Sequence, residues 1–423
     1  MKKLFSLLLF IPEMIFAQSK DYVVDALVFP KRQQQTITVG GPNADIQGFT
    51  NEAIQIAVDA LPAEGGSVKI GPGTYTMKAP VRLKSNVRLS GSGPETILKR
   101  IDGYHSRFIV DADYGELKLT VEDASGFRTG MSIQVTDSEN ENCWDVTTGI
   151  ITDISGNTLY IDTHLVRDYD SEKNGMVTNA GSCIQVLDDV NVFISDLSID
   201  GNKTRNDLLD GCNGGGIAIM RSKGVTVDNV KVSDCNGEGI TWQITENVTV
   251  KNSEISGCAG MGLHPGTGSP NTIIEGNDSH NNNVGLYICW RVQNSFVRNN
   301  QFHHNNNCGI STGHKDSDVT FDSNHIFENG KYGVYIRDED SKNAPHRNTF
   351  INNVVENNGS AREGYGIMIN GNALDLVFEN NTLRDNESGY QKAGIFISKG
   401  SPPIVEKNNI MSGHSLGNIV NGK

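Results

Sequence analysis

The sequence predicts an all-β fold, a solenoid of short parallel strands, on three observations. A six-residue phrase recurs at a nearly fixed interval, the segments between recurrences alternate apolar and polar residues, and no helical periodicity separates them. Each recurrence carries a Gly-aliphatic pair, and successive pairs are 23, 23, 23, 24 and 24 residues apart. The pairs are Gly216-Ile217, Gly239-Ile240, Gly262-Leu263, Gly285-Leu286, Gly309-Ile310 and Gly333-Val334, continued after longer loops by Gly366-Ile367 and Gly394-Ile395. Periods of this length with turns rich in Asn and Gly are typical of solenoids.

One position of the repeat predicts an internal column of side chains. Equivalent residues on successive turns of such a coil stack about 4.8 Å apart. From the phrases "CNGGGI", "CNGEGI", "CAGMGL", "NNNVGL", "NNNCGI" and "NGKYGV", the column is expected to consist of Cys212, Cys235, Cys258, Asn281, Asn305 and Asn329. Stacked Asn side chains can hydrogen-bond along the axis, and the cysteines would act as small buried hydrophobic residues.

Composition and charge narrow the classes of function. The chain has 423 residues, 37% of them hydrophobic, which is enough for one large core or for two to three ordinary domains. No apolar run reaches the roughly 18 residues of a membrane helix, so no membrane span is expected. The net charge of −14 argues against nucleic acid as a partner, because phosphate binding needs a broad basic face. Seven cysteines without a CxxC pair argue against a metal centre and exclude a complete disulfide framework.

The chain divides into four segments. The first residues, "MKKLFSLLLFIPEMIFAQ", combine two lysines, an apolar stretch and a cleavage site after Ala17, so residues 1–17 are predicted to be a signal peptide and the protein to be secreted or periplasmic. Residues 18–114 are interpreted as an N-terminal cap and the first turns of the coil. The period breaks over residues 115–165, where "FRTGMSIQVTD" and "GIITDISGNTLYID" predict an inserted β-subdomain. Residues 166–423 continue the coil and are expected to carry the active groove.

The N-terminal cap carries a resemblance to a known fold. The stretch "TNEAIQIAVDALPAEGGSVKIGPGTYTM" predicts an amphipathic helix that begins near Thr50 or Asn51, then a Gly-Gly turn into a strand. A helix there would cover the open end of the coil, as solenoids require. The stretch resembles the start of pectin-lyase-like right-handed parallel β-helix proteins, where a helix precedes a "GGxVxxPxGxY"-like strand. The resemblance covers most of residues 40–420 and implies a single-stranded, right-handed parallel β-helix, but it identifies a fold rather than one reaction.

Strand alternation separates inward from outward side chains. The aliphatic residue of each Gly-aliphatic pair points inward and the next residue points outward, which gives the outward row Ala218, Thr241, His264, Tyr287, Ser311, Tyr335 and Met368. His264 and Tyr287 are therefore expected one strand spacing apart, close enough for coupled acid–base chemistry. An outward row of this kind usually holds Thr, Ser, Asn and Lys, so this gathering of aromatic and proton-transfer residues indicates function.

The candidate site residues follow from this stacking. The catalytic candidates are His264, Tyr287, His314, Lys315 and Arg337. The candidates for substrate binding are Trp290, Arg291, Asp316, Tyr335, Asp338, Glu339, Glu238 and Trp242. Structural interpretations compete with these roles, since Glu238 could line a turn and Trp242 stands at an inward position that suits the core.

The local charge favours an anionic polysaccharide as the substrate. A basic groove on an acidic molecule suits an anionic ligand, and the resemblance implies enzymes that act on polysaccharides, of which uronic-acid polymers are the anionic class. The leading hypothesis is a β-elimination lyase, in which Arg337, Arg291 and Lys315 neutralise the substrate carboxylate. His264 or Tyr287 would serve as base and acid, and the cationic neighbourhood is expected to lower the pKa of Tyr287.

Three alternatives remain open from the sequence. "GLHPGTG" is loosely similar to the Tyr-Gly-Phe-Asp-Pro-His stretch of mannuronan C5-epimerases, although His264 here precedes the proline and the Asp is absent. "TGHKD" and "YIRDE" are faintly similar to the Gly-His-Gly and Arg-Ile-Lys elements of polygalacturonases. A glycoside hydrolase would need two carboxylates about 5–9.5 Å apart, drawn from Glu238, Asp316, Asp338 and Glu339. A non-catalytic carbohydrate-binding protein is the third alternative. Some β-helix lyases hold calcium with carboxylates, so the resemblance also admits Ca²⁺ as a cofactor, but the residues themselves show no ligand pattern.

Overall fold

Within residues 35–422 the chain winds as a coil of parallel β-strands, with one helix after its first two strands and one antiparallel insert. The structure is a computed structural model and describes residues 35–422. The segment interpreted as a signal peptide lies outside these residues. No helix within residues 35–422 is long and apolar enough to cross a membrane.

One strand from each turn belongs to sheet I, a parallel sheet that has eleven strands in the described residues. Its strands are Val81–Leu83, Ile184–Leu187, Gly215–Met220, Glu238–Gln243, Met261–Gly266, Val284–Tyr287, Cys308–Thr312, Tyr332–Ile336, Tyr365–Ile369, Ala393–Ile397 and Gly417–Asn421. Their order along the axis is their order along the chain. Ile217, Ile240 and Leu263 pair in register and are fully buried, as the 23-residue spacing predicts.

The remaining strands of the coil form sheet II, which has 22 strands in residues 35–422 and pairs in parallel. They are Gln35–Gly40, Ile46–Gln47, Gly66–Ile70, Gly73–Met77, Val87–Ser90, Thr96–Arg100, Phe193–Asp200, Thr226–Ser233, Thr249–Lys251, Glu254–Ser256, Ile273–Glu275, Asp278–His280, Ser295–Arg298, Gln301–His303, Val319–Asp322, His325–Phe327, Thr349–Ile351, Val354–Glu356, Val377–Glu379, Thr382–Arg384, Val405–Lys407 and Ile410–Ser412. Inward aliphatic and aromatic side chains of both sheets form one continuous core along the axis.

The insert is a six-stranded antiparallel sheet with a hydrophobic core of its own. Its strands are His105–Arg107, Lys118–Thr120, Ser132–Thr136, Thr147–Ser155, Thr158–Ile161 and Met176–Thr178, with 3-10 turns at Cys143–Asp145 and Ser171–Lys173. The sequence interpretation of 115–165 falls inside this span and omits its first and last strands. Those two strands are only three residues long and pair with each other, so they leave little pattern in the sequence. A third 3-10 turn, Lys203–Arg205, follows the coil strand that ends at Asp200.

Helix α1, Asn51–Ala60, begins where the sequence predicts. The Thr50 side-chain oxygen accepts a hydrogen bond from the Ala53 backbone N–H at 3.3 Å, which satisfies one donor that the first helical turn leaves free. Ile54, Ala57 and Val58 are fully buried against the first strands of the coil. The predicted amphipathic helix is confirmed.

The internal column exists, but two of its predicted members are wrong. Cys235 and Cys258 lie in the core, and the Cys258 N–H donates to the side-chain oxygen of Asn282 at 2.9 Å. The column then continues through side-chain amides and is made of Asn282, Asn305, Asn329, Asn358 and Gln391. Asn281 instead occupies a left-handed turn position with φ 56° and is exposed. Cys212 lies outside the column, in contact with Cys143 of the insert.

A second amide ladder, not anticipated from the sequence, runs parallel to the first. From Asn300 onward, each side-chain oxygen accepts the backbone N–H of the ladder residue one turn earlier, at 2.8–3.1 Å. Its members are Asn277, Asn300, Asn324, Asn353, Asn381 and Asn409. Buried turn groups that water cannot reach are thereby paired.

Candidate functional site

The outward row of sheet I brings the two leading candidates together. Thr241 pairs with His264 across adjacent strands, and Tyr287 pairs with Ser311. The His264 and Tyr287 rings lie edge to face, with centroids 5.5 Å apart and an interplanar angle of 84°. Stacking of residues 23 positions apart therefore produces the contact that the sequence analysis expects.

Glu238 completes this group from the other side of the histidine. Its Oε1 lies 3.6 Å from His264 Nδ1, and both residues are nearly buried, 7% and 5% exposed. Two glycines make room for the carboxylate, because a Cβ at Gly211 or Gly260 would fall 2.1 Å or 2.6 Å from its oxygens. Neither ring nitrogen of His264 has a hydrogen-bond partner. Buried polar atoms without partners are uncommon in native proteins and often belong to sites that act on a ligand.

Arg337 lies against the opposite side of Tyr287. Its guanidinium carbon is 4.3 Å from the centre of the phenol ring, a cation–π contact. The guanidinium donates to Ser311 Oγ at 2.9 Å and to the Ile288 carbonyl at 2.7 Å, and it lies 3.4 Å from Asp316 Oδ2. Arg337 is thus held in place by the protein, with 14% of its side chain exposed.

Burial controls the protonation of Tyr287 and Asp316. Burial raises the pKa of Tyr287, and the Arg337 charge offsets only part of that rise. The expectation of a lowered tyrosine pKa is therefore wrong, because loss of solvent disfavours the phenolate more than one cation stabilises it. Burial also raises the pKa of the Asp316 carboxyl to about 7, against the opposing effect of Arg337. The Tyr287 phenol is consequently neutral at ordinary pH.

A second group lies on the turns that follow these strands. The Trp290 and His314 rings are 4.9 Å apart and inclined by 31°, and His314 Nδ1 lies 3.4 Å from Glu339 Oε2. Half of the Trp290 surface is exposed. Trp290 and its neighbour Arg291 both have left-handed backbones, with φ 50° and 62°. The indole is the most accessible aromatic surface among the candidates.

Tyr335 extends the first group along the outward row. It packs in one patch with Tyr287, Tyr332, Tyr365 and Met368, and its hydroxyl accepts a hydrogen bond from the Asn370 side chain at 3.2 Å. The turn residues that remain are the exposed Arg291 and Asp338 and the half-buried Lys315.

Two predicted substrate-binding residues cannot touch a substrate. Trp242 is fully buried, and its indole N–H donates to Thr272 Oγ1 at 3.2 Å, so the core interpretation is correct. Asp316 is also fully buried, and its oxygens accept the backbone N–H groups of Val292 and Gly313. Trp242 belongs to the core of the coil, whereas Asp316 lies beside Arg337 in the interior.

Sequence reasoning missed Ser311 and Gln243 as members of the site. Ser311 accepts a hydrogen bond from Arg337. Gln243 is 1% exposed, its Nε2 lies 3.3 Å from Thr241 Oγ1, and its Oε1 has no partner. Ser311 stands in the outward row and Gln243 stands two residues after Thr241 of that row, but neither residue type is unusual on a strand. No group of three or more His, Cys, Asp or Glu within residues 35–422 is arranged to hold a metal ion.

Comparison with known proteins identifies the family to which this fold belongs. A family model described as "Rhamnogalacturonase A/epimerase, pectate lyase-like" matches residues 38–264, more than half of the chain. The chain belongs to this family. A second model, for the right-handed beta helix region, matches residues 215–373. The predicted right-handed parallel β-helix is thereby confirmed.

Solved structures share this fold at low sequence identity. The A-module of a mannuronan C-5 epimerase from Azotobacter vinelandii has a TM-score of 0.53 and 17% identity, covering 87% of this chain and 92% of that one. A protein of Geobacillus virus E2 has a TM-score of 0.51 and 13% identity, covering 85% and 56%. An alginate lyase from a Paenibacillus species has a TM-score of 0.45 and 12% identity, covering 90% and 99%. No curated protein matches the sequence of this protein.

Proposed function

We propose that this protein is a polysaccharide lyase that acts on uronic-acid polymers. The observation that carries the proposal is the position of His264, with two unpartnered ring nitrogens between the Glu238 carboxylate and the Tyr287 ring. Membership in a pectate lyase-like family and the fold shared with a mannuronan epimerase support a polysaccharide substrate.

His264 is the base in this proposal, and because both of its ring nitrogens are buried in the free protein, substrate binding has to uncover one of them. A base and an acid within reach of one sugar ring are the requirement for removing the C5 proton, which lies next to the carboxylate. When His264 takes the proton, the electrons of the C5–H bond form a C4–C5 double bond and the C4–O bond breaks. Glu238, 3.6 Å from Nδ1, offsets the positive charge that the ring gains.

Tyr287 is the acid in this proposal. The leaving oxygen at C4 needs a proton, and burial keeps the phenol protonated. Arg337, held against the phenol ring, contributes positive charge where the substrate carboxylate becomes enolate-like. Trp290 offers an exposed ring on which a sugar can stack, and Arg291 and Lys315 on neighbouring turns add charge for flanking uronates.

A hydrolase is less well supported by the carboxylates of the site. Asp316 has the raised pKa expected of a general acid but is fully buried behind Arg337. Glu238 is enclosed by two glycines and directed at His264. An accessible pair on both sides of a glycosidic bond would therefore have to come from Asp338 and Glu339, which are consecutive residues on one turn.

The test is a panel of uronate polymers incubated with the purified protein. Ultraviolet absorbance of the new double bond together with new reducing ends is the expected result. Reducing ends alone would identify a hydrolase, and C5 proton exchange in D₂O without cleavage would identify an epimerase. The absence of all three on every polymer would leave a binding protein.

Substitution tests the assignment of the residues. Tyr287→Phe and His264→Gln should each lower kcat by about 10²-fold or more, the loss expected when an acid–base group is removed. Tyr114→Phe and His304→Gln are matched controls, because both side chains are exposed and lie outside sheet I. Circular dichroism should show the same fold in all four variants. Near-native turnover in Tyr287→Phe and His264→Gln would reject the assignment.

A further inference from the structure

Two cysteines from distant parts of the chain meet at the edge of the candidate site. Cys143 lies in the 3-10 turn Cys143–Asp145 of the insert, and Cys212 lies on the loop 209–214 that precedes a strand of sheet I. Their sulfur atoms are 2.6 Å apart although the residues are 69 positions apart in sequence. Unbonded heavy atoms pack at about 3.5–4.0 Å and a disulfide bond is about 2.05 Å long, so the pair is closer than two independent thiols would pack.

Asp210 holds both cysteine backbones without involving the sulfur atoms. Its Oδ2 accepts the Cys143 N–H at 2.9 Å, and its Oδ1 accepts the Cys212 N–H at 3.1 Å. Asn213 adds a further hydrogen-bonded connection. Its side-chain amide donates to the Cys143 carbonyl and, at 2.9 Å, to the Asp210 carboxylate. The close approach of the two cysteines is therefore fixed by hydrogen bonds that do not depend on the sulfur contact.

We propose that Cys143 and Cys212 form a disulfide that fastens the insert to the loop 209–214. The bond forms by thiol–disulfide exchange with a small-molecule or protein disulfide as the oxidant. The Cys143 thiolate attacks the oxidant and releases one thiol, and Cys212 then attacks the mixed disulfide and releases the second. Two protons and two electrons pass to the oxidant, which leaves as two thiols.

The protonation of the pair supports this order of attack. The hydrogen bond from the Cys212 thiol lowers the pKa of Cys143, whereas Cys212 has a raised pKa. Thiolate is the attacking form of cysteine. Cys143 is also the more exposed of the two, so an oxidant can reach it first.

The cross-link would hold two neighbouring features at once, the loop beside Glu238 and a cleft between the insert and sheet I. On one side, the Gly211 carbonyl accepts the Thr241 hydroxyl at 2.8 Å, and Gly211 leaves room for the Glu238 carboxylate. On the other side, Trp144 and Asn213 line a cleft of about 250 Å³ between the insert and sheet I. The disulfide fixes the loop and the cleft whether or not the proposed lyase activity is correct.

The experiment counts thiols in the folded protein. The protein is equilibrated with a mixture of reduced and oxidised glutathione, denatured, alkylated with iodoacetamide, then reduced and alkylated with a second reagent. Peptide mass spectrometry is expected to find the first label on five of the seven cysteines and the second label on Cys143 and Cys212. Seven first-labelled cysteines, a link to Cys289, or glutathione retained on Cys143 would each overturn the proposal.

Variants give an independent check on the pairing. Cys143→Ser and Cys212→Ser should each leave six free thiols, whereas Cys289→Ser should keep the cross-link and leave four. Reduction should lower the thermal midpoint of the wild type and of Cys289→Ser but not that of the other two variants. The wild-type thiol count decides the proposal even if a serine variant fails to fold. Equal effects of reduction on all four proteins would contradict it.

Discussion

At the scale of single residues, burial rather than neighbouring charge sets the protonation of this site. Tyr287 lies against a cation and still has a raised pKa. Asp316 lies 3.4 Å from Arg337 and nevertheless has a pKa raised to about 7. Both cases follow from the large cost of holding a charge away from water.

Asp316 should make stability depend on pH. Between pH about 4 and pH 7 the folded chain retains a proton on this carboxyl that the unfolded chain has released. The stabilisation is fully present below that range and is lost as pH rises through the folded pKa. In urea unfolding, the stability of wild type relative to Asp316→Asn should therefore fall from pH 4 to pH 7, by at most about 1.4 kcal/mol per pH unit.

A matched control separates this effect from general acid sensitivity. Asp338, one turn further along the coil, has an exposed side chain. The stability of Asp338→Asn relative to wild type should therefore not change over the same range. A constant difference between wild type and Asp316→Asn across that range would show that Asp316 does not bind the proton.

At the scale of elements, the amide columns hold the turns of the coil in register. Asn305 Oδ1 accepts the Asn282 N–H at 3.0 Å, and its Nδ2 donates to Asn329 Oδ1 at 2.9 Å and to the Ser279 carbonyl at 3.2 Å. One buried side chain therefore joins three successive turns. Its loss would leave a donor and acceptors unpaired in the interior.

Removal of one column member should be costly. Asn305→Ala should lower the free energy of unfolding by about 3 kcal/mol, because each unsatisfied buried group costs about 1–3 kcal/mol. The adjacent Asn306→Ala is the control, since that side chain is exposed and surface substitutions change stability by about 0.5 kcal/mol or less. Chemical denaturation measures both, and equal effects would contradict a structural role for the column.

At the scale of the whole molecule, the described chain has two main hydrophobic cores. One runs along the coil and the other is confined to the insert. Phe127 is 1% exposed in the insert core, and Phe321 stacks on Phe350 in the coil with centroids 4.4 Å apart. Cores that do not share side chains can open separately.

Local opening should follow this division. Phe127→Ala removes about 3–5 kcal/mol of packing from the insert, so hydrogen–deuterium exchange should speed up over residues 105–178 and stay unchanged over the coil strands beyond residue 215. Phe321→Ala is the converse control, with faster exchange in the coil alone. Faster exchange throughout the chain in both variants would show one cooperative unit instead.

The whole chain also shows how much of the candidate site could be read from the sequence. The regular turns fixed the row that holds His264 and Tyr287, because turns of 23 or 24 residues return the chain to the same place one strand spacing along the axis. The same rule failed at Asn281, because the pairing distance changes from 23 residues at Gln243–Gly266 to 24 at Thr249–Ile273. The turn between these strands holds one extra residue, so the column continues at Asn282 instead. Counting residues therefore predicts the stacking of side chains only where the turns between strands keep a constant length.

The sequence by itself determined the coil, its capping helix and the order of side chains along sheet I, since each of these depends on spacing along a regular chain. Only the tertiary structure decided that Asp316 lies behind Arg337, that Glu238 is directed at His264, and that Cys143 meets Cys212. These contacts join loops and an insert that have no period. Their geometry depends on packing between distant segments, which no local pattern encodes.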